Sequence, residues 1–406
     1  MPGVALDLLD PAVRDDPYPS YRACQDETPV YACPNWGWLV FRHADVMAAL
    51  HEPRLSAAGA VEALFETLPA ALQHELTPLR RHLSLWIGNR CPVEHGELAA
   101  RLRPPFHNRA VQPLRPMCAE VAGSLLDGAA SHGVFDVVAE FAQPLPAQVI
   151  ARVLGADPAD RDRFQGWSET LTEFLGFGLM DPAVQQRAQR TVLDMTARLG
   201  ATLDARAAVP GDDLLSRGAE WIARGEMSRD AFLSNCVLLL FAGHETTAIA
   251  IANTLRLLLQ DERARDRAAA DEAFLSAAVQ EAVRLESPVQ MIRRRADADL
   301  ELGGTHIRQG DFVWLMLGAA NRDPRVFDEP DRFLPGRPDG RHLAFGHGPH
   351  YCLGAALSLV EAEEAVRAFL TSMPSASLEE TKPEWLLNPA TRSLRRLPVV
   401  PSPAGR

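Results

Sequence analysis

From Ala44 to about Leu285 the apolar residues recur mainly every three or four positions, which is the helical period. Val121, Leu125 and Leu126 carry it in one stretch, and Val192, Met195 and Leu199 in another. Breaks at Pro104-Pro105, Gly155-Ala156-Asp157-Pro158, Gly176–Gly178 and Pro210-Gly211 divide the region into separate helices. Ser228 to Gln260 is the longest helical candidate, about 50 Å at about 1.5 Å per residue. It is apolar on nearly every side between Val237 and Ala242, as a helix buried through the middle of a domain must be. Pro29-Val30-Tyr31 and Gly37 to Phe41 read as two short strands around a Pro34-Asn35 turn. After Pro288 the texture changes again. Ala298 to Leu302 and Thr305 to Ile307 flank Gly303-Gly304 as a hairpin, and Phe312 to Leu317 is strand-like. A long loop leads through Pro330 to Gly348, and a last helix runs from about Gly354 to Thr371. With no repeat, low-complexity run or linker, the pattern predicts one mainly α domain over 1–406 with a minor β part. Its helix-rich lobe covers about 44–285 and 354–371, and its β-rich parts about 29–41, 289–318 and 375–400.

Composition narrows the class. The 406 residues are 47% hydrophobic and 23% charged, values that exclude a disordered, collagenous or disulfide-dense chain. Asp and Glu outnumber Lys and Arg by 53 to 41, a formal charge of −12, so neither nucleic acid nor an anionic membrane is an expected partner. Six irregularly spaced cysteines fit a reduced, cytoplasmic chain. No N-terminal signal is evident, and no segment approaches the roughly 20 uninterrupted apolar residues of a membrane span.

The candidate chemistry concentrates in Phe345-Gly346-His347-Gly348-Pro349-His350-Tyr351-Cys352-Leu353-Gly354. Three glycines and a proline surround one cysteine just before a helix, a loop suited to tight turns and to close backbone approach. The helix N-terminus favours the thiolate, which binds metals and attacks electrophiles. On the residues alone Cys352 reads as a structural thiol, as part of a zinc site with His342, His347 and His350, or as a nucleophile. A second cluster, Ala242-Gly243-His244-Glu245-Thr246-Thr247, sets polar groups into the most apolar helix, which costs free energy unless they are paired or used. A third feature, Glu281-Ala282-Val283-Arg284, places an acid and a base on one helix face.

Together these segments resemble the cytochrome P450 family. Phe345, Gly346, Gly348, His350, Cys352 and Gly354 fill every fixed position of its haem-binding loop, Phe-Gly-x-Gly-x-His-x-Cys-x-Gly. The likeness begins at Asp16-Pro17-Tyr18-Pro19 and runs through Gly303-Gly304 and Ala320-Asn321-Arg322-Asp323-Pro324 to the helix after Gly354. It implies a triangular helical prism of the soluble bacterial type, with haem b between the long central helix and the cysteine loop. Cys352 would then be the axial ligand of the haem iron, whose thiolate favours O–O cleavage. Ala242 and Gly243 resemble the start of the oxygen-activating motif, the glycine letting the helix open for dioxygen. Thr246 and Glu245 would supply the hydroxyl and the acid of a proton relay.

The same resemblance makes Glu281, Arg284 and Arg332 a structural trio that locks the side of the haem carrying Cys352. It assigns the haem propionates to Arg294 and His95. The family's Arg four residues after that histidine is Ala99 here, so Arg101, Arg103 or His350 must compensate. The implied activity is oxidation of a hydrophobic small molecule in bacterial secondary metabolism. Electrons would come from a ferredoxin of the 2Fe-2S or similar type with its reductase, with Arg101, Arg103, Arg109 and Arg341 as candidates for a steering patch, and a monomer is expected. Phenol coupling, desaturation or nitration are alternative outcomes of the same machinery, and a non-catalytic haem-thiolate sensor is the alternative class. The substrate pocket would draw on Leu55 to Asn89, Phe174 and Phe177, Leu239 to Ala242, and Val289 to Ile292.

Overall fold

The computed structural model describes residues 6–34, 36–129, 133–176, 181–338, 341–379 and 382–401; Asn35 and Phe177 lie outside them. The central helix, Arg229–Gln260, starts where Ser228 accepts a hydrogen bond from the Ala231 N–H at 3.2 Å. It ends at Asp261, whose carboxylate caps the next helix through the N–H groups of Arg263 and Ala264. This helix is long and apolar enough to cross a membrane by length and composition, yet most of that apolar stretch is buried inside the protein. Around it pack Pro144–Leu154, Arg161–Gly176, Pro182–Ala208, Glu272–Leu285 and Ala355–Ser372. The predicted stripe at Val192, Met195 and Leu199 is buried, extended by Val184, Ala188 and Leu203. Phe141, Phe232 and Phe369 anchor the main apolar core among these helices.

Among the described residues the minor β part forms three sheets. The largest has the order β1-β2-β8-β5-β3, with β1 (Val30–Cys33), β2 (Gly37–Val40), β3 (Leu55–Ser56), β5 (Ile292–Ala296) and β8 (Phe312–Leu315). β2 and β8 are parallel, with Trp38 opposite Val313, whereas β5 runs antiparallel to β8, with Arg294 opposite Val313. β6 (Leu300–Leu302) and β7 (Thr305–Ile307) are the hairpin read at Gly303-Gly304. β4 (Phe135–Asp136), β9 (Ser377–Leu378) and β10 (Pro398–Val400) make the third sheet. β5 had no period-2 signal of its own, because three consecutive arginines occupy its centre. The large sheet matters for the site because β5 sets Arg294 on the face opposite to Arg293 and Arg295.

Candidate functional site

Cys352 sits two residues before the N-cap, Gly354, of helix Ala355–Ser372. Gly346 and Gly348 hold φ at +68° and +72°, values that side chains other than glycine rarely adopt. These two turns fold the loop back so that the Phe345 carbonyl accepts the Cys352 N–H at 2.9 Å and the Leu343 carbonyl accepts the Gly346 N–H at 2.8 Å. The Cys352 sulfur opens onto two recesses, yet protein closes round it at longer range. That burial pushes the thiol pKa up, against the opposing hydrogen bonds from the Gly354 and Ala355 N–H groups. A cation on the sulfur is what would deprotonate it.

The first recess, about 240 Å³, is lined by Cys352, His95, Ala99, Arg103, Arg294 and His350, with Ile87, Gly88 and Ile292 beside them. His95 and His350 stand with ring centroids 4.0 Å apart. Burial, with Arg103 and Arg294 nearby, lowers the pKa of His95, and burial with His95 and Arg294 lowers His350 to about 4. Burial also pulls Arg294 down to about 10; its Nη1 donates to the Arg293 carbonyl at 2.9 Å, and no carboxylate among the described residues pairs with it. Arg101 instead turns back to the Glu97 carbonyl at 3.1 Å. Of the two arginines, Arg103 therefore lines the recess. A thiol facing unneutralised guanidinium groups is the complement of an iron porphyrin with two carboxylates, so the residues fit haem b.

The half-buried residues Leu238, Leu239, Ala242 and Thr246 recur at helical spacing along one face of the mostly buried central helix. The Thr246 hydroxyl donates to the Ala242 carbonyl at 2.9 Å. Glu245 has no hydrogen-bond partner among the described residues; burial, and secondarily Glu169, pushes its pKa up to about 7. His244 meets the Gln143 carbonyl at 2.9 Å, and the Thr247 hydroxyl donates to Ser358 Oγ at 3.0 Å, on the helix that follows Cys352. At Gly243 the helix is continuous, and a Cβ there would stand 3.2 Å from the Ile150 side chain on helix Pro144–Leu154.

The structural trio also needs correction. Arg284 binds Glu281 at 2.8 Å through both Nε and Nη2. The third member is Arg337, whose Nε–H reaches both Glu281 oxygens. Arg332 pairs instead with Glu329 at the surface and offers only its backbone carbonyl, to Arg284 at 3.2 Å. A link to the cysteine loop that the motifs did not reveal runs through Asn321. Its carbonyl accepts from Arg284 at 2.7 Å and its Oδ1 from the Leu343 N–H at 2.6 Å.

The histidines of the zinc reading are dispersed. His342 bonds Gln280, His347 bonds His51, and the described residues hold no group of metal-binding donors. A second buried cluster also escaped the sequence reading. Glu286 sits among Arg256, Arg322, Arg392 and the Tyr18 hydroxyl, and although burial raises its pKa, the three guanidinium groups hold it near 2.

The family model described as Cytochrome P450 matches residues 212–390. A cytochrome P450 107B1 from Saccharopolyspora erythraea is 34% identical, covering 90% of this chain and 89% of its own. The 20-oxo-5-O-mycaminosyltylactone 23-monooxygenase of Streptomyces fradiae is 35% identical over 90% of this chain and 85% of its own. The crystal structure of CalO2 superposes with a TM-score of 0.91 at 31% identity, covering 99% of this chain and all of that one. Relatives at 34 and 35% identity are thus matched over most of their length, and the chain belongs to the cytochrome P450 family as a haem b monooxygenase.

Proposed function

We propose that this monooxygenase hydroxylates an uncharged, largely apolar molecule held against the central helix, and that a ferredoxin with its reductase supplies the electrons. The observation that carries the reading is the recess at Cys352, where Arg103, Arg294, His95 and His350 gather without an acidic partner among the described residues. Cys352 would hold the haem iron, and these four side chains the propionates. When bound, thiolate-ligated haem supplies activation of dioxygen by one-electron reductions.

The remaining steps belong to the chain. The Thr246 hydroxyl, tied to the Ala242 carbonyl in this structure, is placed to exchange that bond for one to an incoming oxygen species. A carboxyl that titrates near pH 7 both gives and regains a proton at neutral pH, which suits Glu245 to resupplying Thr246. A sensor has no use for such an acid beside such a hydroxyl, so turnover is the favoured class over a silent carrier. The apolar face at Leu238, Leu239 and Phe241 excludes water and selects hydrophobic substrates. The Streptomyces fradiae relative, a 23-monooxygenase by name, supports insertion of oxygen over coupling or nitration.

A second recess, about 570 Å³, reaches Cys352 from the side lined by Gln112, Arg115 and Leu359. Exposed Arg109 near its rim, together with Arg103, suits an acidic ferredoxin. Arg115 contributes less, being engaged by Glu363 and Glu364. We place the protein in the cytoplasm, as a monomer that works as one domain.

The decisive experiment is Cys352→Ser. The reduced carbon-monoxide complex should lose its thiolate-type spectrum, and oxygen insertion supported by reduced nicotinamide and a surrogate ferredoxin pair should stop. Full retention of either by the variant refutes the assignment.

A further inference from the structure

The loop that carries Cys352 is tied to a neighbouring helix by two imidazoles. His51 is the last residue of helix His43–His51, and His347 lies five residues before Cys352. His51 Nε2 and His347 Nδ1 stand 2.8 Å apart, with ring centroids 4.9 Å apart. Both rings reach solvent, but they are not two free arms. The His51 ring lies against the backbone of Gly348, where a Cβ would stand 3.1 Å from His51 Cε1 and 3.4 Å from the Leu50 carbonyl oxygen. Leu50 in turn is buried in one apolar cluster with Leu343, at the start of the loop.

Asn321 holds the loop at Leu343, and the Phe345 carbonyl closes it on the Cys352 N–H. His51 holds the stretch between them. Four residues after His51 begins β3, which pairs with β5, the strand that carries Arg294. A shift of the loop along helix His43–His51 thus moves Cys352 relative to the sheet that sets Arg294.

A bond between two ring nitrogens needs one N–H and one bare lone pair, whichever ring donates. Two neutral rings satisfy it, and so do one neutral and one charged ring. Two imidazolium ions present only donors and repel each other. The surroundings do not relieve that repulsion, since no carboxylate among the described residues bonds either ring. His43, whose pKa burial first and His347 in smaller part lower, meets the Arg341 carbonyl at 3.3 Å. Arg341 itself is an exposed cation. Asp323 is engaged by the His43 N–H and by Arg325, and Glu52 by Arg54. Helix Leu317–Ala320, which also packs on helix His43–His51, carries no charge.

Resting on the assignment of Cys352 to the haem iron, we propose that His51, acting through His347, is a positioning residue that holds the Cys352 loop for the iron, and that the tie opens when both rings are protonated. Imidazoles ordinarily take up protons around pH 6.5, so acidification toward about pH 5 populates the doubly charged pair. The ligand loop is then firmly seated at neutral pH and loosens in acid.

The test follows the decay of the thiolate-type spectrum of the reduced carbon-monoxide complex at about pH 7.5 and about pH 5. Wild type is compared with His51→Leu, which cannot make the bond, and with His51→Gln. A glutamine amide both donates and accepts, so it meets His347 Nδ1 in either protonation state. Melting curves confirm that both variants fold. At the higher pH His51→Leu should lose the spectrum about 5-fold faster than wild type, as expected for one lost hydrogen bond, and at the lower pH equally fast. His51→Gln should match wild type at the higher pH and outlast it about 5-fold at the lower. Equal rates for wild type and His51→Leu at the higher pH overturn the positioning role. A gap between them that persists undiminished at the lower pH overturns the release by protonation. Either result leaves the proposed function standing, whereas a wild-type protein that never shows the thiolate-type spectrum removes the function itself.

Discussion

Arg337 donates its Nε–H to both carboxylate oxygens of Glu281, at 3.0 and 3.1 Å, beside the two bonds from Arg284. Two guanidinium groups thus share one carboxylate that is 3% exposed, and the Leu334 N–H adds a bond to the same oxygen at 3.0 Å. Removing Arg337 leaves Glu281 with half its compensation and frees the segment that leads into the cysteine loop. We expect Arg337→Ala to cost about 3–5 kcal/mol and to lower the fraction of thiolate-ligated haem. Arg332→Ala removes only an exposed pair with Glu329 and should stay within about 0.5 kcal/mol of wild type. Denaturant melts and the carbon-monoxide difference spectrum of both variants distinguish the two arginines; equal losses would restore Arg332 to the network.

Glu245 gives a pH signature with a definite sign. Its folded-state pKa is raised to about 7 from an ordinary 4.5, first by burial and then by Glu169. Between those values the folded chain keeps a proton that the unfolded chain has lost, so this group's contribution to stability falls as pH rises through the window. Above about pH 7 the accumulated cost is up to about 3 kcal/mol. Glu245→Gln should therefore melt higher than wild type at about pH 8 and equally at about pH 4, while losing proton delivery during turnover. A variant that is not stabilised at the higher pH means the carboxyl ionises there without penalty.

The central helix and its cap, the last helix, the hairpin and the glycine turns were legible because each depends on local chemistry: periodicity, caps and φ preference. Cys352, Thr246 and Arg294 were legible as motif positions. What escaped was long-range. Arg337 could be told from Arg332 only by the path of the loop between them, since both follow Glu281 at distances that fold back onto it. Glu286 draws its partners from Arg256, Arg322 and Arg392, and no spacing rule joins residues 30 to 106 positions apart. The contact between Gly243 and Ile150, likewise, joins two helices far apart in the sequence.

The Glu286 cluster makes an acid-limb prediction. Burial alone would raise this carboxyl, but Arg322, Arg392 and Arg256 hold it near 2. Its stabilisation is complete above the ordinary value of 4.5 and is lost as pH falls toward 2. Glu286→Gln leaves three buried guanidinium groups without their shared counter-ion and should cost about 3–5 kcal/mol at neutral pH. The variant should also show a shallower loss of stability between about pH 4.5 and 2. Parallel acid limbs in the two proteins would show that other carboxylates carry the dependence.

Arg103 faces the recess at Cys352, while Arg101, two residues earlier, turns to the Glu97 carbonyl on its own helix. One helical turn ends between them, so two arginines equally plausible in the sequence have different environments. If Arg103 holds the propionate charge absent at Ala99, then Arg103→Ala should release haem to a scavenging apoprotein about 10- to 100-fold faster, as expected for a lost charge-assisted hydrogen bond. Arg101→Ala should release it at the wild-type rate. Moderate salt should narrow the difference only slightly, because the recess shields the pair from screening. Equal release rates from wild type and Arg103→Ala would leave Arg294, His95 and His350 as the whole of the propionate site.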